Sequence, residues 1–417
     1  MATTNRGSVA SFFLRLGLQV WVRAAIFTVI AVLVALAARF LGPLLPFSVS
    51  IDLGQNAVGS LLQIIATAML TVSTFSVTAM VTAFSSATTT ATPRSTSLLI
   101  ADPTSQNAVS TFIGAFAFSL VGIVALSTGY YTDQGRTILF VGTIVIIAIV
   151  VVTLLRWISH LATFGRMADV IDRVEKAATA SLEVFAPSPA LGARRSTGTP
   201  ADATPVVAEE VGYVTHVDIA GLDRLASAHE VDIHVHAAPG RITDARVPLV
   251  CVRGRVDDQL RSGIRRCFRV EHHRTYEQDP RFGVIALTEI GSRALSAATN
   301  DPGTAIEVIA ALQRVLTRAL VTEPTHEVEY ERVFVTPPAL DDIVADAFRP
   351  LARDGAADLE VQVRLQKCLA SLAVTAPPHA GVFRDASRAA FDRSRRALAS
   401  GDTRVLRSAM REAWAER

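Results

Sequence analysis

Lysine is nearly absent from this sequence, and its scarcity excludes several kinds of chemistry. It occurs only at Lys176 and Lys367, whereas arginine supplies the rest of the positive charge. Arginine keeps its proton in proteins, so it cannot replace a lysine that reacts as a free amine. Cysteine is also scarce, and Cys251, Cys267 and Cys368 show no CxxC spacing. This pattern argues against a disulfide framework or a zinc site and favours reduced thiols in a cytoplasmic compartment.

Long stretches of the chain carry no charge. Residues 53–93, 103–132 and 137–155 contain no Asp, Glu, Lys or Arg. Each stretch is long enough to cross a bilayer, which takes roughly 20 residues of helix. Half of all residues are hydrophobic and the mean hydropathy is +0.37, above the usual value for a soluble domain. The sequence therefore predicts a membrane protein, and its net charge of +2 gives no support for nucleic-acid binding.

Hydropathy predicts an integral membrane α-helical protein with four transmembrane helices. The spans lie at about 20–41, 57–84, 108–130 and 137–157, within a membrane domain of residues 1–158. The first span lacks a short apolar core followed by an AxA cleavage site, so we expect it to be retained.

Basic residues predict the orientation of these spans. They precede the first span, lie between the second and third, and follow the fourth at Arg6, Arg15, Arg23, Arg94, Arg156, Arg166, Arg173 and Lys176. The opposite loops carry only Arg39 and Arg136 at their edges. The positive-inside rule then places both termini in the cytoplasm and the protein in the bacterial inner membrane.

Hydroxyl side chains form a stripe along the second span. Its members recur at helical spacing and are Thr67, Thr71, Thr74, Thr78, Thr82 and Ser85. One interpretation is helix packing, with each hydroxyl bonded to a backbone carbonyl of the preceding turn. The other is a neutral pore lining, formed when several subunits bring the stripe to one axis.

The remainder is predicted to be a cytoplasmic α+β domain with a small β-module and a helical hairpin. An amphipathic exit helix, 159–185, is expected to continue the fourth span and to pack on a neighbouring helix or form a coiled coil. A Pro- and Ala-rich linker or flexible loop follows at 186–206, then a β-rich module at 207–263 and a mainly helical domain at 264–417.

The β-rich module resembles, in outline, one half of a biotinyl/lipoyl-type sandwich. That family attaches its cofactor to a turn lysine, and no lysine lies between residues 177 and 366, so we expect no cofactor. His216, His234 and His236 are predicted to share one strand face. Three imidazoles could bind a metal, but solvent-exposed strand histidines are far commoner, so they are only weak candidates for a metal site.

The charged stretch EHHRTYEQDPRFG, residues 271–283, contains the strongest motif. Related segments are HRT (273–275), EQD (277–279), FG (282–283), EIGSRALS (289–296), ND (300–301) and TAI (304–306). Together they resemble a bacterial family of predicted membrane proteins, the domain of unknown function twenty-two fifty-four, across nearly the whole chain. The resemblance implies four membrane helices followed by a cytoplasmic domain, and the family carries no established activity. His273 stands where the family usually has Glu.

Two Asp-Pro pairs predict a helical hairpin. Asp279-Pro280 and Asp301-Pro302 each precede helical periodicity, because Asp caps helix starts and Pro suits the first turn. The helices are expected near 280–297 and 302–321, with Glu289 and Arg293 paired across one turn. Two Arg-rich helices near 384–399 and 403–416 are predicted as a solvated pair, with contact to anionic lipid as the alternative.

Three interpretations remain open for the charged stretch. The candidate ligand or interface residues are His273, Arg274, Glu277, Asp279 and Arg281. They either form a capping and ion network, or bind an anion through Arg274 and Arg281, or act in acid–base catalysis. No nucleophile, phosphate loop or HExxH motif accompanies them, so no catalytic residue is assigned and enzyme activity is not expected.

These patterns favour an oligomeric channel-like or transport protein. In that hypothesis the second span lines the path, the cytoplasmic domain gates or senses, and the partners are the lipid bilayer and further copies of the chain. The alternative is a non-conducting membrane scaffold or signal-coupling protein that binds a cytoplasmic partner or small ligand.

Overall fold

The computed structural model describes residues 20–41, 55–100, 102–131, 133–325 and 327–415. They belong to two compact units. The first comprises Met1–Thr89 and Thr96–Asp169, and the second comprises Thr90–Ser95 and Val170–Arg417.

Four long apolar helices make up most of the first unit. They are α1 (Val20–Leu41), α2 (Gln55–Thr90), α4 (Pro103–Ser127) and α5 (Asp133–Leu161), and the short helix α3 (Pro93–Ile100) lies between α2 and α4 in the chain. Three segments, Ala57–Thr89, Pro103–Ser127 and Gln134–Leu161, are long and apolar enough to cross a membrane. The apolar part of α1 in the described residues, Ala24–Ala37, is shorter. Three of the four predicted spans thus meet this criterion, and the first span stays a prediction.

Small residues bring the helices of the first unit together. Leu62 of α2, Phe118 of α4 and Leu139 of α5 share one buried apolar core. A Cβ atom on Gly122 would lie only 3.0 Å from the Leu62 side chain, so glycine permits the close approach of α4 to α2. The Trp157 indole N–H donates to the Ser76 hydroxyl at 2.9 Å, which satisfies both buried polar groups.

The helix of the fourth predicted span does not continue into the exit helix, contrary to the sequence prediction. Helix α5 stops at Leu161, and α6 (Met167–Phe185) begins after a non-helical segment, so the prediction of one continuous rod is wrong. Gly165 has a φ of +76°, a left-handed conformation that ends helices. Its N–H donates to the Asp169 carboxylate at 3.1 Å, and this bond stabilises the new helix start.

Two sheets and a set of helices form the second unit. The strands are β1 (Ala193–Arg195), β2 (Thr204–Val206), β3 (Gly212–Val217), β4 (Asp232–Val235), β5 (Ile242–Thr243), β6 (Val250–Arg253), β7 (Phe268–Glu271) and β8 (Tyr330–Val335). The helices after α6 are α7 (Ile219–Ala228), α8 (Asp258–Arg266), α9 (Phe282–Ala294), α10 (Pro302–Val321), α11 (Leu340–Asp354), α12 (Leu359–Thr375), α13 (Ala380–Ala397) and α14 (Ser400–Ala415). One sheet has the order β1-β8-β4-β6-β2, and the other has the order β5-β3-β7.

The mixed sheet differs from the sequence prediction in two respects. The segment 186–206, predicted as a linker, supplies strands β1 and β2, and β2 pairs antiparallel with β6. Helix α7 lies between β3 and β4 in the chain, and β4 pairs in parallel with the distant β8. The predicted module of residues 207–263 is therefore not a separate β-sandwich, because its strand β4 pairs with β8 from outside that range.

The core of the second unit lies between the five-stranded sheet and helices α7 and α8. Ile233, Val250 and Val333 of the sheet are fully buried, together with Leu222 of α7 and Leu260 of α8. The alternating strand pattern thus places every second side chain in the core, as period-2 spacing requires.

The predicted helical hairpin is confirmed as α9 and α10. Val284, Leu287 and Ile290 are fully buried on α9, as their spacing predicts. Asp301 begins α10 as predicted, because its carboxylate accepts from the Thr304 N–H at 3.0 Å. Helix α9 packs against α10 and α11, so the hairpin is part of a larger helical bundle.

Candidate functional site around Asp279

Asp279, at the centre of the charged stretch, is almost completely buried, with 2% of its surface exposed. Its Oδ2 accepts from the Nε of Arg274 at 2.7 Å. Its Oδ1 accepts from the N–H groups of Arg281 and Phe282 at 3.1 and 3.2 Å, which satisfies the first turn of α9. The Ser181 hydroxyl of α6 donates to its backbone carbonyl at 3.0 Å. Asp279 therefore forms hydrogen bonds with the start of α9, with the Arg274 guanidinium and with Ser181 of α6.

The turn at Gly240 closes over the same carboxylate. Gly240 has a φ of +89°, and a Cβ atom there would lie 2.3 Å from the Asp279 Oδ2. Its N–H donates to the Val214 carbonyl at 2.8 Å, which holds the turn against β3. Only glycine meets both the left-handed backbone and the close approach.

Arg274 and Arg281 both have carboxylate partners within the chain. The Arg274 guanidinium also lies 5.3 Å from the centre of the Phe282 ring, a cation–π distance. Arg281 donates to Asp346 of α11 at 2.6 Å and lies 3.8 Å from Asp342. The hydrogen bond to Asp346 raises the pKa of Arg281 further above its usual value. The positive charge of each guanidinium is therefore already balanced by a carboxylate of the chain, which does not favour binding of an external anion.

The remaining candidates do not converge on Asp279. Glu277 is exposed and lies 3.5 Å from Arg269, while His273 is also exposed. Gln278, between Glu277 and Asp279, accepts from the Val217 N–H at 2.9 Å and fixes the loop to the end of β3. This geometry agrees with the interpretation as a capping and ion network.

A neighbouring contact was missed by sequence reasoning. Glu289 was predicted to pair with Arg293, but it accepts from Arg94 at 2.7 Å. The Tyr276 hydroxyl donates to the backbone carbonyl of Arg94 at 3.2 Å, and burial raises the pKa of Tyr276. Residues 94 and 289 are far apart in the chain, so helical spacing could not reveal this pair.

The three candidate histidines are not brought together. His216 lies on β3 of the three-stranded sheet, whereas His234 lies within β4 of the five-stranded sheet and His236 directly follows that strand. His234 is buried and stacks on Phe334 with the ring centres 4.5 Å apart. The prediction of one shared histidine face is therefore wrong. Within the described ranges, no group of three His, Cys, Asp or Glu side chains could hold a metal ion.

Acid is expected to destabilise the second unit through His234. Burial lowers the pKa of His234 below its usual 6.5, with a further lowering by Arg253 and an opposing contribution from Asp232. The unfolded chain then binds a proton at higher pH than the folded chain does, so stability present above pH 6.5 is lost as the pH falls below it.

Thermal unfolding measured between about pH 8 and pH 5 checks this effect. The Tm should fall with pH, and His234→Phe should reduce that fall. His273→Phe, at an exposed position, serves as the control and should leave the fall unchanged. Equal falls in the unmodified protein and His234→Phe would contradict the role of His234.

The hydroxyl stripe is exposed along α2. Thr67, Thr71, Thr74, Thr78 and Thr82 each donate to the carbonyl four residues earlier, at 2.9–3.0 Å. Every member of the stripe, Ser85 included, is exposed. The opposite side of α2 faces the core of the first unit through Val58, Leu62, Met69 and Ser76. The five threonine hydroxyls thus satisfy their own donors, and the stripe is not buried against other described residues.

A second polar cluster, which sequence reasoning missed, lies in the first unit. Asp102 is buried at the start of α4, and its Oδ2 accepts from the Ser105 hydroxyl at 2.6 Å. The same oxygen lies 3.0 Å from His160 Nε2. That nitrogen also faces Ser105 at 3.5 Å, so the histidine is not placed between an acid and a nucleophile as in a catalytic triad. Asp102 and His160 lie on different helices, and no local spacing joins them.

The curated relatives of similar sequence are described as uncharacterised proteins. Two relatives are uncharacterised proteins of Mycobacterium bovis and Mycobacterium tuberculosis. Each is 29% identical over 252 residues, covering 57% of this chain and 48% of the relative. The chain thus spans about half the length of the curated relatives it matches. No solved structure matches the chain.

A family model extends over most of the sequence. The family is described as predicted membrane protein (DUF2254), and its model matches residues 18–371. The match includes the apolar helices of the first unit, together with Asp279 and the residues that contact it, Ser181, Gly240, Arg274, Arg281 and Phe282. This chain therefore belongs to the DUF2254 family of predicted membrane proteins.

Proposed function

We propose that this chain is a multi-pass protein of the bacterial inner membrane that assembles into a homo-oligomer with a neutral path lined by α2. Helices α1, α2, α4 and α5 cross the bilayer, and both termini lie in the cytoplasm. The positive charge of Arg94 and of the residues after α5 supports this orientation. The second unit then lies in the cytoplasm, where it gates the path or senses a signal.

The exposed hydroxyl stripe is the observation that carries the proposal. It occupies the middle of the exposed side of α2, with the exposed apolar residues Leu70 and Val77 on one flank and Ile64 and Phe75 on the other. Helical spacing places the stripe opposite the buried face of α2. Apolar flanks suit contact with neighbouring subunits or lipid, which leaves the hydroxyl row to face the axis.

Such a path would be neutral. The oxygen of each bonded threonine hydroxyl retains a lone pair after its hydrogen is donated within the helix. The segment Ala57–Thr89 contains no charged side chain, so no charged ring is available for ion selection. Small polar or weakly hydrated solutes fit this lining better than strongly hydrated ions.

Cysteine accessibility tests the path. Thr71→Cys and Thr78→Cys are expected to react with a membrane-impermeant thiol reagent, because water reaches the stripe in the assembled protein. Val77→Cys, exposed on an apolar flank of the same helix, is the matched control and should stay unreactive. Labelling of each variant is measured in membranes relative to the unmodified chain, in which Cys251 and Cys368 are buried and the half-buried Cys267 sets the background.

Unreactive cysteines at both stripe positions would overturn the path. The alternative would then hold, in which the protein is a non-conducting scaffold or signal-coupling protein. The contacts of Arg94 with Glu289 and Tyr276 favour this alternative, because they lie within the second unit and supply a charged surface beside the Asp279 region.

A further inference from the structure

The last two helices, α13 and α14, form a hairpin that follows the family match. The match ends at residue 371, whereas the hairpin occupies residues 380–415. Phe383, Ala390 and Leu406 are its buried contacts, and both helices pack against α12. Apolar and small residues on one side of the hairpin thus pack it against the bundle, and its charged sides are exposed to solvent.

Arginine and aromatic side chains meet along the seam of this hairpin. The Arg384 guanidinium lies 5.9 Å from the centre of the Trp414 ring, and that of Arg407 lies 5.7 Å from the Phe391 ring. The earlier residue of α13 contacts the later residue of α14, so the two helices run antiparallel. These cation–π contacts fix the two helix faces that border the seam.

Six arginines line these two faces, and we call them the arginine strip. Helical spacing of three, four or seven residues places each set on one side of its helix. The strip consists of Arg384, Arg388, Arg395, Arg404, Arg407 and Arg411, all exposed. Its arginines therefore form one basic surface that alternates with the rings of Phe391 and Trp414.

The positive charge of the hairpin is only partly neutralised within the chain. Residues 380–415 contain eight arginines and four carboxylates. Asp385 lies 3.5 Å from Arg388, and Asp392 lies 2.9 Å from Arg395, both on the exposed surface. Exposed pairs of this kind are weak and screened by salt, so they do not remove the attraction of the surface for anions.

Trp414 adds a second observation at the strip. Its indole N–H is buried and has no hydrogen-bond partner among the described residues. Buried indole groups usually find an acceptor. Tryptophan is also enriched at the membrane–water boundary, where its ring lies at the level of the headgroups. A phosphate oxygen of a headgroup would supply such an acceptor after a small side-chain rotation.

We propose that the arginine strip of the α13–α14 hairpin binds the headgroups of anionic phospholipids. Lipid is favoured over nucleic acid because the chain belongs to a membrane-protein family and carries a net charge of only +2. The basic surface is local, as in segments that bind anionic membrane surfaces. The proposal does not depend on conduction through α2.

Hydrogen exchange of the full chain in nanodiscs tests the proposal. One set of nanodiscs contains phosphatidylcholine alone, and the other contains roughly 30% phosphatidylglycerol. We expect exchange in residues 380–415 to slow about tenfold in the anionic nanodiscs and to recover when salt screens the interaction. Hydrogen exchange in α12 serves as the internal control and should be the same in both sets of nanodiscs, because the surrounding fold does not change.

Two double variants distinguish binding by the arginine strip from a general effect of positive charge on the hairpin. Arg388→Gln with Arg404→Gln removes two strip residues, and we expect the lipid-dependent protection to fall to within about twofold of the phosphatidylcholine value. Arg393→Gln with Arg396→Gln removes the same charge from α13 outside the strip and should retain the protection. Equal losses in the two variants, or no effect of phosphatidylglycerol on the unmodified protein, would overturn the proposal. Protection by polyuridine RNA in place of phosphatidylglycerol would overturn it too and indicate a nucleic-acid surface.

Discussion

Replacing Asp279 by alanine is expected to destabilise the second unit by about 3–5 kcal/mol, because it leaves the partly buried Arg274 without its carboxylate. The same change removes the acceptor for the first N–H groups of α9. It also opens a space beside Gly240. Hydrogen exchange of residues 282–294 in the full chain measures the effect as faster opening of α9.

Glu277→Ala is the control for the loss of a carboxylate from the same loop. Glu277 is exposed and lies 3.5 Å from Arg269, so its loss should cost less than about 1 kcal/mol. Asp279→Asn separates the two contributions of the carboxylate. The amide oxygen can still accept from the backbone N–H groups of α9, whereas the ion pair with Arg274 is lost. If Asp279→Ala opened α9 no faster than Glu277→Ala, the central role of Asp279 would be wrong.

Adding one methyl group at Gly283 is expected to destabilise the packing of α9 on α6 by about 1–3 kcal/mol. A Cβ atom there would lie 2.5 Å from both the Cα and the Cβ of Ala178. Backbone must shift to accommodate it, since the nearest atoms are not the end of a flexible side chain. Thermal unfolding of Gly283→Ala, together with exchange in residues 170–182, measures the loss.

Gly381→Ala provides the matched control, because Gly381 also lies in a helix and a Cβ there meets nothing within 4 Å. It should be neutral or stabilising by up to about 1 kcal/mol, since alanine favours helix. Adding Ala178→Gly to the Gly283→Ala variant should restore only part of the stability, because the new methyl group would still press on the backbone of residue 178. Full recovery would show that the two helix backbones approach less closely than described.

Local patterns predicted the elements whose causes are local. Apolar runs identified three membrane-length helices of the first unit, and the Asp301-Pro302 pair identified the start of α10. The Asp279-Pro280 pair lies just before α9, which begins at Phe282 with Arg281 at its N-cap position. Capping depends on atoms within three residues, so the printed sequence is sufficient to find it. The hydrogen bonds from the Arg281 and Phe282 N–H groups to the Asp279 carboxylate were predictable on this basis, although Arg281 and not Asp279 is the N-cap residue of α9.

Long-range interactions were not predictable from the same patterns. The pairing of Arg94 with Glu289 and the closure of Gly240 over Asp279 join segments with no common periodicity. Strands β1 and β2 have three residues each, too few to show an alternating pattern within a Pro- and Ala-rich segment. The left-handed conformation of Gly165 likewise depends on its setting, because glycine is tolerated within helical patterns.

The position of β8 between β1 and β4 determines when the sheet can be completed during synthesis. Strand β1 pairs only with β8 in the five-stranded sheet, and β8 ends at Val335. The ribosome must therefore add about 140 residues after β1 before its partner exists, which takes roughly 7–30 s at bacterial elongation rates. During that interval β4 can pair with β6. The edge of β4 that later pairs with β8, and strand β1, have backbone groups that could pair with incorrect strands. We therefore expect the speed of translation across residues 196–335 to affect the yield of correctly folded protein.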